Sequence, residues 1–160
     1  MYTMKKVSVI VPMYYEEEVA EECYKRLKRV LERINNYNYE IIFINDGSKD
    51  KTLSILLDMA SKDKNVKIIS AMGMGNKLDP TQIEVSDISK TSVCPLAKTI
   101  RKQLRAKGIN HSKVVYSREL PNRFDKSEEH RRTTASISFV PSVGGLIIAS
   151  QIVRDLIDEF

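Results

Sequence analysis

The sequence predicts an α/β fold: a mainly parallel sheet with helices on both faces, in a single compact domain made of two half-domains. Three observations carry this. Short β-branched runs alternate with longer amphipathic stretches through the first 70 residues. The turns between them are short, as parallel crossover units require. And 160 residues suffice for one domain with a real core but not for two ordinary ones. The hydrophobic share of 42% and charged share of 29% are those of a soluble globular protein.

Val7 to Val11 is β-branched and bounded by Pro12, which suits a buried strand ending at a loop. A helix is expected from about Glu16 to Ile34, with Ala20, Cys23, Tyr24, Leu27, Val30, Leu31 and Ile34 recurring at helical spacing. Glu16, Glu17 and Glu18 load its first turn with charge that the helix dipole favours. Tyr39 to Asn45 reads as a second strand and Asp46-Gly47-Ser48 as a turn. Ser48 or Asp50 then caps a helix to about Ala60. Val66 to Ser70 makes a third strand. The result is a Rossmann-like arrangement with right-handed crossovers.

Beyond Ser70 the character changes. Met72-Gly73-Met74-Gly75 is a lone GxG with no helix start behind it, so a loop is expected there. Thr81 to Val85 suggests a short strand, and Lys113 to Ser117 another. Pro95 and Gly108 frame a helix over about 95–107, with Leu96, Ile100 and Leu104 on one face. Pro121 to Thr134 is polar and aperiodic and reads as a mobile loop. Ser136 to Val140 reads as a final strand and Val143 to about Ile157 as a mostly buried closing helix. In that reading Ile100, Leu104, Leu146, Ile147 and Val153 cover a face of the sheet.

The net charge is +5. Residues 1–70 hold 12 Lys/Arg against 11 Asp/Glu, and the remainder 14 against 10, so the excess lies in the second half. Such a balance permits an anionic ligand without demanding one. Cys23 and Cys94 form no CxxC pair and no disulfide framework, which points to a reducing, cytoplasmic setting. No signal peptide is expected, because the run Val7 to Val11 is too short. No membrane span is expected either, since the run Leu146 to Ala149 is far below bilayer thickness.

Tyr14, Glu16 and Asp46 lie just past the carboxyl ends of the first two strands, where open α/β sheets bind ligands. The runs VSVIVPMYYEEE and YEIIFINDGSKDKT resemble the opening of glycosyltransferase family 2, the GT-A fold, near its polyprenyl-phosphate branch. The resemblance covers roughly residues 5–70 and makes residues 1–70 a nucleotide-binding half. It implies that Pro12, Tyr14, Glu16 and Asp46 contact the base and ribose of a uridine nucleotide or nucleotide sugar. A carboxylate accepting from the ring N–H or the ribose hydroxyls is sound chemistry for that role. Tyr15 stands where the family usually has Asn. The family's Asp-x-Asp metal motif is missing after Ser70, so the divalent metal that the family implies has no motif here, and no catalytic residue is assigned. Without such an ion a diphosphate leaving group has no charge clamp.

The second half resembles another family. ISAMGMGNKLDPTQIEVSDISKTSVCPLAKTIRKQLRAKGI, KVVYS and SISFVPSVGGLIIASQIVRDL are similar to the closing part of the tRNA threonylcarbamoyladenosine dehydratases. These belong to the ThiF, ubiquitin-activating-enzyme-like superfamily and adenylate a carboxylate on tRNA with ATP. The resemblance spans roughly residues 66–158 and makes residues 71–160 the closing half of such a domain. The family's glycine-rich ATP loop has no counterpart, for residues 12–18 read PMYYEEE.

Lys98, Arg101, Lys102 and Arg105, with Lys107, make a basic helix face that suits tRNA phosphates or, equally, plain solvent. Arg118, Arg123, Arg131 and Arg132 extend it. Cys94 before Pro95 reads as a structural thiol rather than a reactive one. His111 and His130 lack partners at metal-ligand spacing, so no metal site is expected. Each half was shaped against an absent partner, so an apolar patch covered by self-association is a further expectation. Three functions stay open: a nucleotide-sugar-binding protein without full transferase activity, a tRNA-binding module without its ATP site, and a joined chain with no activity.

Overall fold

The computed structural model describes residues 5–122 and 134–157, and the chain divides into two compact units, Met1–Ser70 and Ala71–Phe160. The first contains β1 (Lys5–Met13), α1 (Ala20–Leu31), β2 (Tyr37–Asp46), α2 (Thr52–Lys62) and β3 (Val66–Ala71). β1 and β2 pair in parallel from Lys5↔Tyr37 to Met13↔Asn45. β3 follows on the far side of β2, and the Ile41 amide donates to the Asn65 carbonyl at 2.8 Å.

Strand alternation decides which side chains meet the helices. Val7, Val9, Val11 and Met13 of β1 join Tyr39, Ile41 and Phe43 of β2 in one apolar cluster. α1 adds Ala20, Cys23, Tyr24, Leu27 and Leu31, and α2 adds Ile55, Leu56, Met59 and Ala60. Both crossover helices therefore cover the same face of these strands. The alternate positions carry an ionic group. Glu40 is 2% exposed and accepts from Ser8 Oγ at 2.7 Å, with Lys67 at 2.9 Å and Lys6 at 3.5 Å. Burial opposes its charge, but the Lys67 and Ser8 hydrogen bonds outweigh that and hold its carboxyl below the ordinary value.

A second network ties α1 to the turn before β3. Asp63, 9% exposed, accepts from Lys28 Nζ at 2.7 Å, the Tyr24 hydroxyl at 2.7 Å and the Asn65 amide at 2.9 Å. Burial alone would raise the Asp63 carboxyl. The bonds from Lys28, Tyr24 and Asn65 reverse the sign and leave it lowered.

α1 starts later than the periodicity predicts. The Glu16 carbonyl accepts from the amides of Val19 and Ala20, so Glu16 to Val19 form the entry turn. The first helical turn is charged by Glu21 and Glu22 instead. At the far end Val30 is 60% exposed, outside the buried stripe.

The second unit contains β4 (Ile83–Asp87), α3 (Pro95–Arg105), β5 (Lys113–Ser117) and α4 (Phe139–Ile157). β4 and β5 pair antiparallel from Ile83↔Ser117 to Asp87↔Lys113. Short 3₁₀ turns flank β4 at Pro80–Gln82 and Ile88–Lys90, each opened by an aspartate, Asp79 or Asp87, that accepts from the amide two residues on. The strand expected at Thr81 therefore begins two residues later. Cys94 caps α3, its Sγ accepting the Ala97 amide at 3.5 Å. Gly108 (φ +76°) stands just beyond the end of α3.

Two expectations for the closing segment fail. Ser136–Val140 is not a strand: residues 134–137 lack regular structure and α4 begins at Phe139. Pro141 is tolerated because it sits in the first turn, where amides have no intrahelical partner. Nor is the helix mostly buried. Val140, Gly144, Ile148 and Ile152 turn inward, while Leu146 is 69% and Val153 53% exposed. Leu146 and Val153 thus cover no face. α4 spans 19 residues, long and apolar enough by length and composition to cross a membrane. The expected loop at 121–134 lies mostly outside the described residues, as do Arg123, His130, Arg131 and Arg132.

Candidate functional site

Parallel pairing puts the carboxyl ends of β1 and β2 at the same edge. The register ends at Met13↔Asn45, so one step on sets Tyr14 level with Asp46. Pro12, opposite Ile44, is exposed on the last paired stretch. Tyr14 is 60% exposed, Asp46 is exposed and Glu16 half-buried. The structure thereby gathers all four sequence-derived residues of the first half at one edge.

The turn after each strand uses left-handed backbone. Gly47 has φ +67°, which glycine adopts without a side-chain clash. Tyr15 has φ +55°, a conformation asparagine tolerates far better than an aromatic residue. That is a physical reason for the asparagine customary at this place. The Tyr15 ring packs edge-on against Tyr14, centroids 4.7 Å apart and planes at 89°.

Hydrogen bonds join the two loops. The Tyr15 amide donates to Ser48 Oγ at 3.1 Å, and the Glu16 amide to Thr52 Oγ1 at 2.9 Å. The Lys51 amide donates to Glu17 Oε2 at 2.8 Å, so Glu17 serves the start of α2 rather than α1. Asp50 Oδ1 accepts the Thr52 amide at 3.1 Å. Beneath them Asn45, fully buried, donates from Nδ2 to Ser70 Oγ at 2.7 Å. Its Oδ1 has no hydrogen-bond partner among the described residues. Sequence reasoning missed Ser48 and Thr52 as loop anchors. The Ser-x-Asp-x-Thr alternation after Asp46-Gly47 reads as turn and cap chemistry, and nothing local in it points to a loop more than 30 residues away.

The described residues gather no group of three or more His, Cys, Asp or Glu able to hold a metal ion. They do not fit the divalent ion that a family 2 resemblance implies.

In the second unit Lys98, Lys102 and Arg105 are exposed on α3 at helical spacing. Arg101 faces elsewhere, its guanidinium donating to the Ile88 carbonyl at 3.3 Å and the Thr91 carbonyl at 2.9 Å. Cys94 is 3% exposed, and His111 lies 3.4 Å from Asp87 Oδ2. Gly75 belongs to a packed loop: a Cβ there would fall 2.1 Å from Thr134 Cγ2 and 3.3 Å from the Ala135 carbonyl oxygen. Lys77, 3% exposed, donates to the Ser117 carbonyl at 3.2 Å and to that of Glu119. The Glu119 carboxylate accepts the amides of Leu78 and Asp79 at 3.0 and 2.9 Å.

Strands, crossover helices and an exposed carboxylate at the strand ends define an α/β protein with a candidate ligand edge in its first unit. Known proteins of two kinds match the chain, one over its first part and the other over most of its length. Residues 8–72 match the model of Glycosyl transferase family 2. The uncharacterized glycosyltransferase YkcC of Bacillus subtilis (strain 168) is 48% identical over 39% of this chain and 19% of its own length. The tRNA threonylcarbamoyladenosine dehydratase of the same organism is 30% identical over 94% of this chain and 59% of its own length. A crystal structure of the E. coli tRNA N6-threonylcarbamoyladenosine dehydratase TcdA, in complex with AMP, covers 88% of this chain and 64% of that one. Its TM-score of 0.61 at 17% identity is a likeness of Rossmann-like fold. The chain is thus similar to two kinds of enzyme, and it spans less than two thirds of each of these relatives.

Proposed function

We propose that residues 1–70 form a half-site for a uridine nucleotide or nucleotide sugar, without full glycosyl transfer. The observation that carries this is the convergence of Tyr14, Glu16 and Asp46 at the adjacent carboxyl ends of β1 and β2, on loops bonded to each other. The match to Glycosyl transferase family 2 over the same residues supports it. Asp46 supplies an exposed carboxylate for the ring N–H or ribose hydroxyls, and Tyr14 an exposed phenol and ring face. A diphosphate finds no metal cluster among the described residues, so base and ribose carry the affinity. Residues 71–160 act as a second half of dehydratase-like parentage. The cytoplasm is the proposed compartment.

A second reading rests on one observation: Lys98, Lys102 and Arg105 stand exposed along α3, in a chain similar to a tRNA-modifying enzyme. In that reading the stripe retains tRNA through its phosphates, with affinity falling steeply as salt rises. A thermal-shift panel separates the readings. Stabilisation by uridine diphosphate supports the first and a salt-sensitive shift with tRNA the second. A shift with neither refutes both and leaves a joined chain with no activity of its own.

A further inference from the structure

We propose that Ser48 and Thr52 are positioning residues for the nucleotide edge, an inference that rests on the uridine reading above. Both are almost wholly buried, at 1% and 0% exposure, so neither reaches a ligand. Their hydroxyl oxygens accept backbone amides of the neighbouring loop. Ser48 Oγ takes the Tyr15 amide at 3.1 Å and Thr52 Oγ1 the Glu16 amide at 2.9 Å. These are consecutive amides, and they lie between the side chains of Tyr14 and Glu16. Fixing them fixes where both side chains leave the backbone. Tyr15 holds a left-handed φ of +55°, which an unbonded loop would not keep. Asp50 between them accepts the Thr52 amide at 3.1 Å and so sets the first turn of α2, from which Thr52 reaches back. The alternation 48, 50, 52 is thus one device: two hydroxyls aimed at the neighbouring loop and a carboxylate that orients the second of them.

Removing either hydroxyl leaves an amide unpaired and lets the Tyr14–Glu16 loop sample other conformations, which binding must then reverse. The nucleotide dissociation constant is expected to rise about fivefold for each hydroxyl removed. Thr52→Ser keeps the acceptor and should bind within about twofold of the unaltered protein. The test is calorimetric titration of uridine into the full chain, its Ser48→Ala, Thr52→Val and Thr52→Ser variants, with thermal melts alongside. Weakened binding in Ser48→Ala and Thr52→Val, with recovery in Thr52→Ser, supports the positioning role. Ser48→Ala decides alone if Thr52→Val does not fold. Unaltered protein that binds, with Ser48→Ala binding equally well, overturns this inference and leaves the uridine reading standing. Failure of the unaltered protein to bind overturns the uridine reading and this inference with it.

Discussion

Asp63→Ala should be among the most damaging single changes outside the apolar core. The carboxylate is 9% exposed and receives Lys28 Nζ, the Tyr24 hydroxyl and the Asn65 amide. Lys28 recovers part of its loss, being 34% exposed with Glu32 at 3.8 Å. Tyr24 and the Asn65 amide lose their acceptor, and an unmade hydrogen bond at a buried group costs about 1–3 kcal/mol. Because both groups are only part-buried, the sum is set near the lower end, about 2–3 kcal/mol. That equals a fall of roughly 4–12 °C in melting temperature for a chain of this size. Urea unfolding followed by circular dichroism at pH 7 measures it. The sign with pH is fixed too. The folded carboxyl lies below its ordinary value of 3.8, so its contribution is complete above the unfolded pKa and is lost as pH falls through the folded one. The gap between the unaltered protein and Asp63→Asn should therefore narrow below about pH 4. A loss under about 0.5 kcal/mol at pH 7 would show that the network contributes no more than a surface pair.

Substitutions at two further backbone positions, Tyr15 and Gly75, test the loops. Tyr15→Asn should raise the melting temperature by about 1–2 °C, because relief of left-handed strain, about 1 kcal/mol, exceeds an exposed ring contact worth roughly 0.5 kcal/mol; a lower melting temperature contradicts this. Gly75→Ala should cost about 1–2 kcal/mol through the clash at Thr134 Cγ2. Adding Thr134→Ala should return part of that loss, since the Thr134 Cβ stands an ordinary 3.6 Å away while the Ala135 carbonyl oxygen stays close at 3.3 Å; a neutral Gly75→Ala, measured by the same unfolding, contradicts the packing role.

What the residues disclosed follows from how local each signal was. Lys113–Ser117 and the start of α3 at Pro95 were legible because β-branching and proline geometry act within a few residues. The end of β2 was legible because Asp46-Gly47 marks it, whereas β1 runs on through the expected stop at Pro12 to Met13, where proline lacks only a donor that the pairing does not need. The start of α1 was not, since Glu17 is drawn to the Lys51 amide, a contact 34 residues away in sequence. α4 misled twice. Its apolar residues are spread around the circumference rather than gathered in one stripe, so composition cannot say which face turns inward, and its first residues mimic a strand. Ser48 and Thr52 were hidden for a related reason: a hydroxyl after a turn reads as a cap, and only the fold shows its acceptor aimed at another loop.

Tyr14, Glu16 and Asp46 form the proposed nucleotide edge. Calorimetric titration of uridine and uridine diphosphate into the unaltered protein and Asp46→Ala tests it most directly, with and without magnesium. The expected dissociation constant is roughly 0.1–1 mM, similar for both ligands and insensitive to the metal, because the affinity comes from base and ribose alone. Asp46→Ala should abolish the heat of binding. Equal binding by Asp46→Ala, tight magnesium-dependent binding of the diphosphate, or no binding at roughly 5–10 mM would each contradict the account.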